Sequence, residues 1–299
     1  MGDALRLKGL DLPETLIFGL GAGLGFALYH GDTSLVPPQP GRFFVGRSAT
    51  FERDLCEAVG AQLEERHFPD AGEAWPHIAK LVSRSELPLV YTDLFHLSYV
   101  GARGHWFGHL VGIAAIRDGV ASVADNEAAE LKPCPAADLQ KALCTDLPVR
   151  GEGCTVLHVS NALRTPPPGA ARDAVLRNAR RMTDDAAPRA GMLGLHALPQ
   201  EIASWADRSD WQRCARLCAQ AIEVRGSGGG LFRRVYAQFL EGAGFPELAR
   251  LSRTAADAYS ALASALEAAR AENTPRLGEA VEGAKRCAEA EEALWARTP

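Results

Sequence analysis

The sequence predicts an α+β chain whose first half combines helices with an antiparallel sheet and whose second half is all helix. Three observations carry this. Helical and strand-like segments alternate up to about residue 160, a Pro- and Gly-rich run then breaks both periodicities, and beyond it Ala, Leu, Arg and Glu recur at helical spacing. At 299 residues the chain exceeds what one core usually serves. We therefore divide it into a domain at 1–163, a linker at 164–172 and a helical domain at 173–299.

The elements follow in order. A short helix covers "GDALRLKGL", "RFFVGR" reads as a strand, and an amphipathic helix runs from Thr50 to Glu65. A second helix spans Ala71 to Ser83; after the turn-like "SELP" comes "LVYTDLF", an apolar strand bounded by Pro88. Trp106–Ile116 and Val120–Asp125 form a hairpin, because the Asp-Gly between them suits a tight turn. A short helix around Ala136 to Leu143 precedes the strand "TVLHVS". The run "RTPPPGAA", Arg164 to Ala171, loses backbone donors at its prolines and is the linker. Helices then follow in "ARDAVLRNARRMTDD", "ALPQEIASWADRSDWQRCARLCAQAIEVR", "LFRRVYAQFLEGAG" and "ELARLSRTAADAYSALASALEAARAE", with the glycines of "GSGGG" ending one and leading into the next.

Composition removes several function classes. A formal net charge of −5 and a pI near 5.9 leave no basic field for a polyphosphate backbone, so no nucleic-acid partner is expected. No segment approaches the roughly 20 apolar residues that span a bilayer, and the N-terminus lacks a signal-peptide pattern. No membrane association is expected, and the location is taken as cytoplasmic. The alternating glycines of "FGLGAGLGFALYHG" raise nucleotide binding, but Gly21 and Gly23 would need a third glycine at Phe26, and no Lys-Ser or Lys-Thr follows. They read as backbone packed close to another element, and no cofactor is expected. Seven cysteines, scattered without C-x-x-C, argue against a disulfide framework or a zinc ribbon and are read as reduced thiols. Cys214 and Cys218 share a helix face and read as core.

Chemistry concentrates around the hairpin. His109 begins one of its strands and Asp125 ends the other, 16 residues on, which brings the two side chains within cross-strand reach. An Asp accepting from His Nδ1–H would leave Nε2 free as a base; a structural pair fits the same pattern. His105, four residues before His109, could join His109 and Asp125 on a metal, but without H-E-x-x-H or a second cluster no metal is expected. Asp93 and His96 follow a strand and either line a cleft or cap the strand end. Arg233, Arg234 and Tyr236 could meet a phosphopantetheine or an acidic surface, or form an exposed helix face.

The segments "GLDLPETLIFGLGAGLGFALY", Gly46-Arg47, "PLVYTDLFHLSY", "GHLVGIAAI" and "VADNEAAE" together resemble the N-terminal domain of the butirosin biosynthesis protein H family, and "GSGGGLFRRVYAQFLEGAG" resembles the helical domain of unknown function that commonly follows it. The resemblance implies a papain-like fold similar to bacteriocin-leader peptidases. It also implies acyl transfer: an aminoacyl group moves from an acyl carrier protein's phosphopantetheine thioester to a small amine through a Cys-His-Asp triad. His109 is then the general base and Asp125 its orienter. Gly21, Gly23, Asp93, His96 and His105 are expected to line the substrate cleft. The family's cysteine falls a few positions before Met1, and none of the seven cysteines replaces it. Two origins are open, an internal methionine taken as the start or loss of the nucleophile, and the first is preferred. Function is therefore expected to be cysteine-dependent acyl transfer in secondary metabolism, with a cysteine peptidase or amidase and a non-catalytic binding scaffold as alternatives.

Overall fold

The computed structural model describes residues 1–126, 128–143, 153–161 and 165–298; Cys144 and the first linker residue, Arg164, lie outside the described residues. In chain order the helices are α1 (Gly2–Leu7), α2 (Glu14–Leu20), α3 (Phe51–Ala58), α4 (Ala71–Ser83), α5 (Ala136–Leu143), α6 (Ala170–Thr183), α7 (Gly191–Ala203), α8 (Trp211–Glu223), α9 (Arg233–Gly242), α10 (Pro246–Ala271) and α11 (Gly278–Trp295). The strands are β1 (Leu24–Tyr29), β2 (Phe43–Arg47), β3 (Gln62–Phe68), β4 (Leu89–Thr92), β5 (His109–Arg117), β6 (Val120–Ala124), β7 (Lys132–Pro135) and β8 (Cys154–Asn161). The chain is α+β, with antiparallel sheets and a helical C-terminal region.

Contacts group these elements into two compact units. One comprises Met1–Leu12, Ser34–Gln39 and Val59–Pro166; the other comprises Pro13–Thr33, Pro40–Ala58 and Pro167–Pro299. The break between Pro166 and Pro167 falls inside the 164–172 linker. The two early segments, however, pack with the C-terminal helices, because β1 and β2 find their hydrogen-bonding and apolar partners there.

The first unit is built on a six-stranded antiparallel sheet in the order β3-β8-β4-β5-β6-β7. Its core forms where Ala74, Ile78 and Leu81 of α4 meet Val90, Val111, Ile113 and Val123. α4 starts where the sequence places it, with Asp70 accepting from the Glu73 amide at 2.9 Å. The expected helix over Thr50–Glu65 is corrected: α3 stops at Ala58, Gly60 takes φ +66°, and Gln62–Phe68 pairs antiparallel with β8. Glu64, Glu65, Arg66 and His67 imitate a solvated helix face in sequence, but here they are the polar, exposed side chains of an edge strand. One cysteine expectation is also corrected. Cys154, at the start of β8, is disulfide-bonded, while Cys56, Cys134, Cys214, Cys218 and Cys287 are free and buried. Pairing depends on spatial approach, and no C-x-x-C spacing announces this one.

In the second unit the two-stranded sheet β1-β2 is tied to the helices by Asn178 of α6. Its side chain donates to the Leu24 carbonyl at 2.9 Å and accepts from the Leu24 amide at 3.2 Å, replacing a missing neighbour strand. Beyond residue 169 every regular element among the described residues is helical.

The glycine-rich stretch runs from the end of α2 into β1, so its order is helix, turn, strand. A phosphate-cradling loop has the reverse order and presents a helix N-terminus. A Cβ on Gly21 would lie 2.7 Å from the Phe51 ring, and one on Gly23 2.6 Å from the Phe18 ring. Close packing is what these two positions require.

Candidate functional site

The hairpin turn sits where the sequence puts it, with Asp118 at φ +50° and Gly119 at φ +77°, the left-handed pair of a type I′ turn. β5 and β6 leave it in the register Arg117↔Val120, Ile116↔Ala121 and Ala115↔Ser122. Between Ile113 and Ala115 the register shifts, so that Ile113 pairs with Val123 and Gly112 with Ala124. Ala114 is the extra residue of a β-bulge. Continued one residue further, this register sets Asp125 opposite Val111, two residues from His109 and hence on the same face of the sheet. Without the bulge Asp125 would oppose Gly112, and its side chain would emerge on the other face from His109.

The result is a close pair. His109 Nε2 lies 2.9 Å from each carboxylate oxygen of Asp125. The Asp125 side chain is fully buried and that of His109 is 11% exposed. The base of β5 is pinned from its neighbour strand, where Thr92 pairs with His109 and donates its hydroxyl to the His109 carbonyl at 2.9 Å. One part of the sequence reading is corrected here. Nε2 is the nitrogen that meets Asp125, so Nδ1, which has no hydrogen-bond partner among the described residues, is the one available as a base. The ring's direction depends on χ angles that strand spacing does not set.

Tyr99 completes the arrangement and was not singled out from the sequence. Its hydroxyl donates to Asp125 Oδ2 at 2.7 Å. Burial, followed by the hydrogen bond to Asp125, pushes the phenol far above its ordinary range, so Tyr99 stays a protonated donor. The tyrosine lies in the "YTDLFHLSY" segment, but nothing in its spacing points to a carboxylate met only in space. Beside Asp125 opens a surface cavity of about 320 Å³, walled by Asp3, Arg6 and Leu7 of α1 together with Leu87, Ala114 and Asp125.

Asp93, His96 and His105 form a second cluster in the same unit, where β4 ends and β5 is about to begin. Asp93 Oδ1 accepts from the amides of Phe95 at 3.1 Å and Trp106 at 3.0 Å. Asp93 Oδ2 lies 2.5 Å from His105 Nδ1 and 3.9 Å from His96 Nε2. His109 and Asp125 are not members of this cluster, so the grouping of His105 with them on one site is replaced by a grouping with Asp93 and His96.

Gly21 and Gly23 belong to the helical unit, where they pack against phenylalanines as described. Arg233 is also corrected, since it forms no exposed face. It is fully buried, donating to Glu291 Oε1 at 2.5 Å, to the Leu231 carbonyl at 2.7 Å and to the Gly25 carbonyl at 3.1 Å. Tyr236 is buried too, and Arg234 meets Asp257 and Ser260. Arg233 opens α9 shortly after a run of glycines, where sequence gives no sign of the carboxylate it will meet 58 residues on.

None of the free cysteines is a ready nucleophile. Burial pushes the Cys56 thiol up to about 12, and it likewise raises Cys134, Cys214, Cys218 and Cys287.

The first unit is an antiparallel sheet that presents the buried Asp125 carboxylate to the His109 imidazole, with a surface cavity beside Asp125. Residues 1–126 match the family of butirosin biosynthesis protein H N-terminal domains, and residues 137–297 match a domain of unknown function (DUF4872). The chain carries these two domains in that order and belongs to the family of the second, whose match covers more than half of it; the first domain makes it, at that level, a biosynthetic protein of secondary metabolism. The second match begins ahead of the linker and takes in α5 and β8. No curated protein matches the chain.

Proposed function

We propose that the protein is the base-bearing part of a cysteine-dependent acyltransferase, moving an acyl or aminoacyl group from a carrier-protein thioester to a small amine in the cytoplasm. The observation that carries the reading is the His109–Asp125 pair, buried, bulge-aligned and held by Tyr99. In the proposed cycle His109 Nδ1 takes the proton of a cysteine thiol. The thiolate attacks the thioester carbonyl and expels the carrier's thiol, which leaves with the proton from His109. The amine then attacks the acyl-enzyme, His109 accepts its proton and returns it to the cysteine sulfur. Asp125 keeps Nε2–H oriented and stabilises the imidazolium formed at each proton transfer.

The thiol is the one the family carries immediately before the first helix. Support for that position comes from α1, whose Asp3, Arg6 and Leu7 line the cavity beside Asp125. A chain extended at its N-terminus through a His-Cys pair, incubated with an activated acyl thioester, should gain one acyl mass by intact-protein mass spectrometry. The 299-residue chain should not, and His109→Ala in the extended chain should abolish the gain. Stable acylation of the 299-residue chain at one of its own cysteines would overturn the assignment. Failure of the extended chain with every thioester would favour a binding scaffold, the reading to which five buried, high-pKa thiols also point. Release of free acid instead of amide when amines are present would favour the peptidase or amidase reading.

A further inference from the structure

The acylation chemistry makes no use of the Asp93–His96–His105 cluster. We propose that it binds a first-row divalent metal ion of the zinc class, through Asp93 Oδ2, His96 Nε2 and His105 Nδ1.

The hydrogen bonding of His105 carries the inference furthest. Its Nδ1 lies 2.5 Å from a carboxylate oxygen of Asp93 and its Nε2 lies 3.3 Å from the Val36 carbonyl. Both neighbours accept only. A neutral imidazole has one N–H to give, so one nitrogen would direct a lone pair at an oxygen lone pair. A metal ion on Nδ1 removes the conflict and leaves Nε2–H to donate to Val36, the carbonyl bond that orients metal-binding histidines generally. Asp93 is prepared in the same way: two backbone amides hold Oδ1, which turns Oδ2 toward the histidines.

The distances are close to what a metal needs. All the ligand atoms lie within 4.8 Å of one another. Tetrahedral coordination with bonds of about 2.0–2.1 Å sets ligand atoms about 3.3 Å apart. The Asp93–His105 separation of 2.5 Å would open and the Asp93–His96 separation of 3.9 Å would close, each by less than about 1 Å. Side chains of Asp93 and His105 are 4% and 7% exposed, which favours a fixed pair of ligands, while His96 is 34% exposed. Solvent therefore reaches the third ligand, and a fourth position is open to water or a substrate oxygen or nitrogen. Two imidazoles and one carboxylate suit Zn²⁺, Co²⁺, Ni²⁺ or Fe²⁺ and give Mg²⁺ too few oxygens.

The test uses the untagged full chain, stripped of metal by chelation and dialysis, and titrated with Zn²⁺ by calorimetry and with Co²⁺ by visible absorption. The expected result is one ion per chain, with Co²⁺ bands that zinc displaces. Asp93→Asn, His105→Gln and His96→Gln should each weaken binding about tenfold or more, whereas His196→Gln, at a surface pair with Glu292, should not. Because His96 is partly exposed, His96→Gln keeps the test decisive if a buried-ligand variant fails to fold. Wild-type affinity in His96→Gln overturns the proposal. So does the absence of binding by the wild-type chain up to about 100 µM Zn²⁺.

Discussion

Tyr99 donates its hydroxyl to Asp125 Oδ2 at 2.7 Å, on the same carboxylate that His109 approaches. The carboxylate is fully buried, so each donor it keeps replaces a water it has lost. Tyr99 is a positioning residue: it fixes the plane of Asp125 and, through it, the imidazole. Tyr99→Phe should lower unfolding free energy by about 1.5–3 kcal/mol, the usual worth of a hydrogen bond to a charged group, measured by urea titration. In the thiol-bearing chain it should also slow acylation while leaving thioester binding in place. An unchanged rate alongside the lost stability would make the contact purely structural.

The bulge at Ala114 sets which face Asp125 occupies. Deleting Ala124 should leave the bulge in place, set Asp125 opposite Gly112 and so carry it to the face opposite His109. The expected outcome is a folded chain by circular dichroism in which the hydrogen-bonded His109 Nε2 proton is lost from the side-chain ¹⁵N spectrum. Survival of that proton in the deletion variant would show that side-chain reach, and not register, brings the pair together.

The pairing of His109 with Asp125 was legible in the sequence because a tight Asp-Gly turn fixes the hairpin's fold-back point, and counting outward from it needs no tertiary information. What counting misses is the extra residue. A simple register places the two side chains on opposite faces, and only Ala114, a small residue with no bulge signature of its own, corrects it. The helix over Ala71–Ser83 was legible for a similar reason, having a local cap at Asp70 and one apolar face. The Thr50–Glu65 helix failed because an edge strand's exposed charges carry no period, and its partner β8 lies about 90 residues away. Arg233 and Tyr99 show the same limit. Each meets its carboxylate through tertiary packing, which local propensity does not encode.

Arg233 and Glu291 form a fully buried ion pair in the helical unit, and Trp295 Nε1 donates to the second Glu291 oxygen at 2.6 Å. Removing one partner strands a charge in the core. Arg233→Met and Glu291→Leu should each destabilise by about 3–5 kcal/mol, while the double variant should recover much of the loss because no unpaired charge remains. Chemical denaturation of the three variants measures this coupling. Additive losses in the double variant would mean that the bonds from Arg233 to the Leu231 and Gly25 carbonyls, and not the ion pair, carry the cost.

Cys56 provides a pH test of the helical unit. Burial, helped by the Glu52 carboxylate, raises its thiol from an ordinary value of 9.0 to about 12. Between these values the unfolded chain has lost the thiol proton while the folded chain still holds it. The folded state therefore binds more protons, and stability must fall as pH rises. The contribution is complete below about pH 9 and is lost progressively toward about pH 12, at a limiting slope of about 1.4 kcal/mol per pH unit. Urea titrations at pH 8 and 10 should show the wild-type chain losing stability more steeply than Cys56→Ala, which has no thiol to ionise when unfolded. Equal slopes for the two would mean that the folded thiol ionises near its ordinary value, and in that case Cys56 would also be open to alkylation in the native chain at pH 9.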